Sequence, residues 1–565
     1  MPRRLGKGSA SHRLLRFPQV TADNRDVESS RPQALEAGLF LIVVALPLAF
    51  FPLSEAAFID VKLLVLALGT LLIWVSGVPV DRQLAAPALA LGVAVALATV
   101  FGVDPAESLV GTIRLTGVVT LASTLVLVVV APCLPEPLLA RARTWMVRVA
   151  VVLAAIAVME HLAPELLDLV AKRESFLGAT FGNPVLLAGF LAASIPAALA
   201  EGSGSRWRTV VVFAALGSGF AVIGERSAYL LPPAAFVATW WFLRPPARRI
   251  AVAGAALVVA FAVLTLLPTP GSDNADPSRV AGQFATLGAE RQRFAVWGAQ
   301  IRAVADRPVL GWGPSNEWSA FVSSGTPAQL RTAGRFWGDA HNLLIEVGVI
   351  SGLVGIAAFL WLLFRLVPRV ARAPRSRGWA AASAVTLAVY FLYEPLDVTL
   401  IPMLFLLAGA AAGGRARVAS PAAARRRPAL VATSLVLVAA TGVAALSFVS
   451  ASIEQWGRTH SGSSWAFERA WAIAPWRVSP AEALAIELAI DARAGDPTAG
   501  DEAREVVDRL VDAHPLNPGL RLLAADVELL LMNFPGTQAW IREHLEVFPS
   551  DVVRVPEEDP GTTLP

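Results

Sequence analysis

Long apolar runs separated by short polar gaps recur over the first 450 residues of the chain. LFLIVVALPLAF at 39–50 and LALGVAVALATV at 89–100 are examples. Because about 20 apolar residues cross a bilayer as a helix, the pattern predicts an all-α polytopic membrane protein of about 12–14 spans. The thirteen predicted spans are 34–53, 60–79, 84–101, 115–133, 145–163, 184–201, 208–224, 228–244, 249–268, 343–365, 379–394, 397–413 and 429–449.

The arginines indicate how these spans are oriented. With the N-terminus inside, the inner gaps hold the denser basic clusters, 365–377 and 415–427, whereas the outer gaps hold only scattered cations. Positively charged loops favour the cytoplasmic side, so thirteen spans predict a C-terminus outside the cytoplasm. Residues 1–33 are expected to form a basic cytoplasmic tail, because no signal peptide is recognisable there.

Two large segments fall on the outer side in this topology. The first is a loop of about 269–342 within the transmembrane domain 34–449, and the second is the region 450–565. The second carries short amphipathic patterns with a proline after several helix ends, which predicts a helical domain of tetratricopeptide-like or irregular form. It is more acidic than basic from Ile453 onward. We therefore expect it to recruit a protein partner or a neutral glycan, without taking part in bond formation.

Several polar residues next to apolar runs are candidates for chemistry. Arg226 lies between two spans, where a guanidinium would seek an anionic partner; Glu225 or a lipid phosphate would serve equally. Arg293 lies four residues before Trp297, so both side chains lie on one face of a helix, which is also a pattern typical of a membrane-surface helix.

His341 and Asn342 stand at the start of the apolar run that follows the outer loop. Imidazole titrates near neutral pH, which suits a general base, although a helix cap or a structural hydrogen bond is an equal alternative. Asn342 precedes Glu346 by four residues and is expected to pair with it. Glycines 348, 352 and 355 are expected to permit close helix packing.

Other chemistries find little support in the sequence. The single cysteine, Cys133, excludes an internal disulfide, and no metal motif is evident, although Asp104, Glu107 and Asp339 are carboxylates on the outer side. No nucleic-acid partner and no cofactor are expected. Hydrophobicity alone also fits a polysaccharide or lipid transporter, in which the outer loop would be a lid.

Several segments together resemble the O-antigen ligase family, which includes O-unit polymerases and some protein O-glycosyltransferases. The resemblance covers about 35–415. It rests on SLVGTIRLTGVVT at 108–120, GATFGNPVLLAGFLA at 178–192, ERSAYLL at 225–231, RFAVW at 293–297, DRPVLGWGPSNEW at 306–318 and HNLLIEVGVISGLVG at 341–355.

The resemblance implies a metal-independent glycosyltransferase of the bacterial cytoplasmic membrane. Such an enzyme transfers a glycan from undecaprenyl pyrophosphate to a hydroxyl of a glycan, lipid or protein acceptor. It implies His341 as the base and Arg226 and Arg293 on the pyrophosphate, with Arg114, Trp297 and Asn342 as further substrate-binding residues. Ligation and polymerisation use the same donor chemistry, so the sequence leaves both open.

Overall fold

The computed structural model describes residues 24–112, 114–163, 178–201, 205–223, 225–266, 288–333, 339–413, 427–460 and 464–549. These residues form helices and connecting segments with no β-strand, which confirms the all-α prediction. The helices of the first half are α1 (Asn24–Phe40), α2 (Asp60–Val75), α3 (Arg82–Val100), α4 (Pro105–Val110), α5 (Val118–Val130), α6 (Glu136–Leu162), α7 (Pro184–Ala200), α8 (Arg206–Ile223), α9 (Arg226–Leu243) and α10 (Ala247–Leu266).

The second half of the chain is also helical. Its helices are α11 (Gly288–Asp306), α12 (Glu317–Ser324), α13 (Pro327–Ala333), α14 (Leu343–Ala371), α15 (Gly378–Tyr390), α16 (Leu400–Ala412), α17 (Arg427–Arg458), α18 (Ser464–Ile473), α19 (Ser479–Arg493), α20 (Ala499–Ala513), α21 (Pro518–Leu530) and α22 (Phe534–Val547).

Each of the thirteen predicted spans coincides with a helix, and six of these helices are long and apolar enough to cross a membrane. The boundaries differ in places. Helix α1 begins at Asn24, inside the predicted tail, and α17 continues to Arg458, past the predicted boundary at 450. Helix α6 begins nine residues before its predicted span, because Pro137 suits the first turn of a helix.

The connections between helices contact one another in two separate groups, one at each end of the bundle. In the first, the backbone N–H of Val398 donates to the carbonyl of Arg114 at 3.2 Å. In the second, Arg377 Nε donates to Glu136 Oε1 at 2.6 Å. We call these the upper end, which contains 101–117, 339–342 and 391–399, and the lower end, which contains 76–81, 131–135 and 372–377. If the chain crosses the membrane thirteen times, its connections alternate between the two sides and fall into two groups as well.

Helices α15 and α16 are shorter than a bilayer span, yet nearly all their residues are buried among other helices. The connection between them, 391–399, is also buried and carries Glu394 and Asp397, which are 4% and 3% exposed. Non-helical backbone near a membrane is tolerated where protein surrounds it. The sequence YEPLD is therefore an internal polar turn at the upper end.

Helix α14 carries another break in regular structure, at Gly352, whose φ is +60°. The groups released by this kink bond to the segment before α12: Trp312 N–H donates to Val349 C=O at 2.8 Å, and Leu353 N–H donates to Pro308 C=O at 2.7 Å. A Cβ at position 352 would lie 2.5 Å from the Val309 carbonyl oxygen. Gly352 thus permits a kink and close backbone contact, whereas the sequence predicts only helix–helix packing.

Helices α18 to α22 pack consecutively and share one apolar core, as the amphipathic patterns predict. Their attachment to the upper end is more direct than the sequence suggests. His514 contacts Asp104 through its imidazole Nδ1, and Asn517 Nδ2 donates to Glu107 Oε1 at 2.7 Å. Both carboxylates lie in the connection that leads to Arg114.

The thirteen crossings predicted from the sequence give a topology prediction. We expect a reporter that is active only in the cytoplasm to be inactive when it is fused after Pro565. The same reporter placed before the first helix should be active, which controls for expression. Activity of the C-terminal fusion would show that the number of crossings is even.

Candidate active site

The segment before α14 is held in place by its own side chains. Asn342 is the N-cap of α14: its Oδ1 accepts from the N–H groups of Leu344 and Ile345 at 3.0 and 3.2 Å. Its Nδ2 donates to the Leu392 carbonyl at 2.8 Å. The cap satisfies helix N–H groups that otherwise have no partner. Asn342 therefore fixes where α14 begins and joins it to the 391–399 turn.

His341 adopts a backbone conformation that is unusual for its residue type. Its φ is +50°, in the left-handed region, which is costly for residues other than glycine. Its N–H donates to Asp339 Oδ1 at 2.9 Å, which stabilises this geometry. In this backbone conformation the imidazole ring of His341 faces the same carboxylate.

Asp339 joins His341 to Arg114 at the centre of the site. Its carboxylate contacts His341 Nδ1 on one side and the Arg114 guanidinium on the other. The side chains are 9% exposed for Asp339, 14% for His341 and 25% for Arg114. Burial raises the pKa of Asp339, but the positive charge of Arg114 and the hydrogen bonds from His341 outweigh burial and hold that pKa below its usual range. Asp339 is therefore an ionised group that orients the imidazole.

Ala340 lies between these two residues, and both its carbonyl group and its N–H group are hydrogen-bonded. Trp297 Nε1 donates to the Ala340 carbonyl at 2.8 Å, and the Ala340 N–H donates to Glu346 Oε2 at 2.8 Å. Glu346 also meets the buried carboxyl group of Glu317. The expected pairing of Glu346 with Asn342 is wrong, because Asn342 caps the helix instead.

The Trp297 hydrogen bond gives a testable prediction. Trp297→Phe keeps the ring packing and removes the donor to Ala340, which should loosen the segment carrying His341. We expect transfer to fall by about tenfold at most, since a neutral hydrogen bond contributes on the order of 1 kcal/mol. Trp240→Phe, at a 59% exposed position on α9, is the matched control and should transfer normally. A Trp297→Phe protein with unchanged kinetics would show that the bond has no positioning role.

Arg293 lies one helical turn before Trp297 on α11 and reaches the same region. Its Nη2 is 3.7 Å from Glu394 Oε1, and its side chain is 22% exposed. The distance exceeds that of a close hydrogen bond, so the Glu394 carboxyl group lies beside the guanidinium without a direct hydrogen bond in this pair. Arg226 begins α9, but its side chain lies outside the described residues.

The 391–399 turn brings these residues together, because three of them contact it. The Leu392 carbonyl accepts from Asn342, Glu394 lies against Arg293, and the Val398 N–H donates to the Arg114 carbonyl. In the sequence, Asp339 stands out only as one of several carboxylates on the outer side, and Glu394 is not a predicted site residue. Acidic residues in a short break between apolar runs are the signal that would have found this turn.

The glycine-asparagine-proline segment at 182–184 leads into α7. Asn183 caps α7, its Oδ1 accepting from the Val185 N–H at 2.9 Å, with Pro184 in the first turn. The buried Lys62 of α2 donates from Nζ to the Thr180 carbonyl at 2.8 Å. These contacts indicate a structural role for this segment.

Comparison with known protein families gives one match. A family model described as O-antigen ligase matches residues 209–360, a range that includes Arg226, Arg293, Trp297, Asp339 and His341. No curated protein matches the chain. At the level of the family, this match supports a membrane glycosyltransferase of the O-antigen ligase or polymerase type. The chain is a multi-pass membrane protein that carries an O-antigen ligase domain, which confirms the resemblance drawn from its motifs.

Proposed function

We propose that the chain transfers a glycan from a polyprenyl pyrophosphate, undecaprenyl pyrophosphate in bacteria, to an acceptor hydroxyl at the outer face of the cytoplasmic membrane. The observation that carries the proposal is the Arg114–Asp339–His341 arrangement at the start of α14. A carboxylate that orients an imidazole is the arrangement used by enzymes that deprotonate hydroxyl groups.

His341 acts as the general base in this proposal. With Nδ1 turned towards Asp339, Nε2 accepts the proton of the acceptor hydroxyl as its oxygen attacks the anomeric carbon. The bond from that carbon to the pyrophosphate oxygen breaks, and the pyrophosphate leaves with its lipid. Attack opposite the leaving group inverts the anomeric carbon. Asp339 stabilises the imidazolium that forms.

Arg293 and Arg226 bind the pyrophosphate of the donor. Negative charge grows on the leaving group as the sugar bond breaks, so fixed guanidinium groups stabilise the transition state more than the ground state. The 3.7 Å separation between Arg293 and Glu394 supports this role, because it leaves the guanidinium donors available for phosphate oxygens. No metal is required for this charge compensation.

A small apolar cleft lies beside the start of α14. It has a volume of about 50 Å³, lies among α3, α5, α14 and α16, and is lined by Leu343, Val347, Phe405 and other apolar side chains. Leu343 is two residues after His341 in the chain.

The position of the charged residues favours an enzyme over a transporter. A transporter would carry its polar groups along a path through the middle of the bilayer. Here Arg114, Arg293, Asp339, His341 and Glu394 all lie at the upper end, where a membrane-held donor meets a water-side acceptor. Ligation and polymerisation both use this arrangement.

Substitution of Arg293 tests the pyrophosphate role. Arg293→Lys keeps the charge but loses the planar fork that matches phosphate oxygens. We expect transfer to fall by about 10- to 100-fold, equivalent to about 1.4–2.7 kcal/mol of transition-state stabilisation, with normal membrane insertion. Arg291→Lys, two residues earlier on the exposed side of α11, is the matched control and should transfer normally. Transfer at the wild-type rate by Arg293→Lys would contradict the role.

A further inference from the structure

A cavity of about 490 Å³ lies at the upper end, between the membrane helices and the C-terminal helices. Its walls come from four parts of the chain: residues 55–63, residues 107–115, residues 315–319 of the segment before and within α12, and residues 447–517 of the C-terminal helices. A volume of this size is within the ordinary range for ligand sites, about 300–1,000 Å³. The cavity is therefore large enough for several sugar rings.

The C-terminal helices complete this cavity by docking on the membrane domain. His514 contacts Asp104, Asn517 donates to Glu107, and Gly519 lies against the Trp318 ring, where a Cβ would come within 2.8 Å of the indole. These three contacts fix the two halves of the wall relative to each other. The cavity is thus a feature of the whole chain and not of the O-antigen ligase domain alone.

The lining combines flat aromatic faces with hydrogen-bonding groups. Trp318 and Trp476 contribute indole rings, and Trp476 is held by a 2.8 Å hydrogen bond from its Nε1 to Ser447 Oγ. Glu107, Glu482 and Asn517 supply carboxyl and amide groups. A pyranose has apolar C–H faces, which pack on aromatic rings, and hydroxyl edges, which bond to carboxyl and amide groups. The lining matches both surfaces.

The charge of the lining favours an uncharged ligand. Both arginines in the wall are engaged by one buried carboxylate: Arg458 Nη2 is 2.7 Å from Glu454 Oε1, and Arg477 Nη2 is 3.2 Å from Glu454 Oε2. Burial raises the pKa of Glu107 to about 8, and burial also raises the pKa of Glu482. Near neutral pH the Glu107 carboxyl group is largely protonated, and it then offers a hydrogen bond without a net charge.

Ser315 supplies a separate observation that points to a ligand. It lines the cavity and is only 4% exposed, yet its hydroxyl has no hydrogen-bond partner in the part of the chain that the structure describes. Buried hydroxyl groups are normally bonded, because leaving one unpaired costs free energy. A sugar hydroxyl in the cavity would supply the missing partner.

We propose that this cavity binds uncharged sugar residues of a glycan substrate, at a distance from the bond that is made. This inference rests on the proposed function and deepens it by assigning the C-terminal helices a share in glycan binding. Gly111, Thr112 and Leu115 line the cavity and belong to the turn that carries Arg114. A glycan seated there would extend from the cavity towards the reacting centre. Either the donor glycan or the acceptor glycan has the chemistry that this lining selects.

Binding can be measured without catalysis by saturation-transfer NMR on the full-length protein in phospholipid nanodiscs. Sugar-based detergents must be avoided, since their head groups would compete for the cavity. One probe is the glycan released by mild acid from the host's polyprenyl-linked pool. The other is the host's mature, lipid-free envelope glycan. We expect saturation transfer to at least one of them, and the one that binds identifies the donor or the acceptor as the source.

Two variants test the location. Ser315→Gly removes the unpaired hydroxyl at a position whose φ of +63° suits glycine, and Glu482→Trp fills the cavity from α19. We expect Ser315→Gly to raise Kd by up to about tenfold and Glu482→Trp to abolish saturation transfer. Glu502→Gln, on the exposed face of α20, is the control and should bind like the wild type. Thermal unfolding of each variant checks that it is folded.

The outcomes separate this inference from the proposed function. Loss of transfer in His341→Ala with retained glycan binding supports both. If His341→Ala still transfers glycan, the proposed mechanism fails while the binding result stands. If neither glycan gives saturation transfer to the wild type, or if a folded Glu482→Trp protein binds as well as the wild type, the cavity is not a sugar site.

Discussion

Replacement of His341 by alanine is expected to lower glycan transfer by about a thousandfold, with the protein still inserted and folded. General-base catalysis contributes about 10²- to 10⁴-fold to a proton-transfer step, and alanine removes the only atom that takes the proton in this mechanism. Binding of the lipid-linked donor should be nearly unchanged, since the proposed function assigns the pyrophosphate contacts to Arg293 and Arg226. The measurement is the initial rate of transfer in proteoliposomes at saturating donor.

The control for this substitution is His460→Ala. His460 lies just after α17, exposed and stacked on Trp456 with ring centroids 4.3 Å apart. The His460→Ala protein should transfer glycan at the wild-type rate. If His341→Ala and His460→Ala have the same rate, the imidazole of His341 only caps or supports the start of α14, which is the structural alternative that the sequence leaves open.

Replacement of Asp339 by asparagine is expected to have the second largest effect, a loss of about 10²- to 10³-fold in kcat. The change keeps the size of the side chain but removes the charge that orients His341 and stabilises its protonated form. Because the pKa of Asp339 is held below its usual range, its carboxylate is ionised at every pH suitable for the assay. The loss of kcat should therefore be seen at every pH tested.

Kinetics separate orientation from binding in this variant. Asp339→Asn should lower kcat with little change in the KM for the donor, because Asp339 acts through His341. Asp508→Asn, at an exposed position of α20, is the matched control. A large rise in KM with an unchanged kcat would instead place Asp339 among the groups that hold substrate.

The stability of the wild type should depend on the same carboxylate at low pH. The folded pKa of Asp339 is below that of the unfolded chain, so its ion pairs stabilise the fold above the unfolded value of about 4. That contribution is lost only as pH falls below 4 towards the folded value. Asparagine at this position removes the contribution above pH 4.

The positions of the membrane helices follow from the sequence because their signal is local. An apolar run of sufficient length between polar gaps predicts a helix wherever it occurs, and Asn342 before LLIEVGVI marks a helix start in the same way. The partners of the site residues are not local. Arg114 reaches Asp339 across 225 positions, and no pattern in either segment specifies that pair.

Some contacts depend on tertiary packing, and for these the local sequence pattern suggests the wrong partner. Glu346 has an amide four residues before it, yet the N-cap requirement of α14 takes that amide, and the Ala340 backbone supplies the partner instead. The sequence predicts that the C-terminal helices form a separate domain, because their own amphipathic patterns account for their folding. Their contacts with Asp104 and Glu107 depend on side chains more than 400 positions apart.

The most direct test of the central claim follows both products of the reaction in proteoliposomes. Host polyprenyl-pyrophosphate-linked glycan, labelled in the sugar, is supplied together with the host's acceptor fraction. We predict that the wild type releases polyprenyl pyrophosphate and attaches glycan in equal amounts with inverted configuration, and that His341→Ala does neither. Attachment of glycan with the anomeric configuration retained, or equal transfer by His341→Ala, would contradict the mechanism in which His341 deprotonates the acceptor.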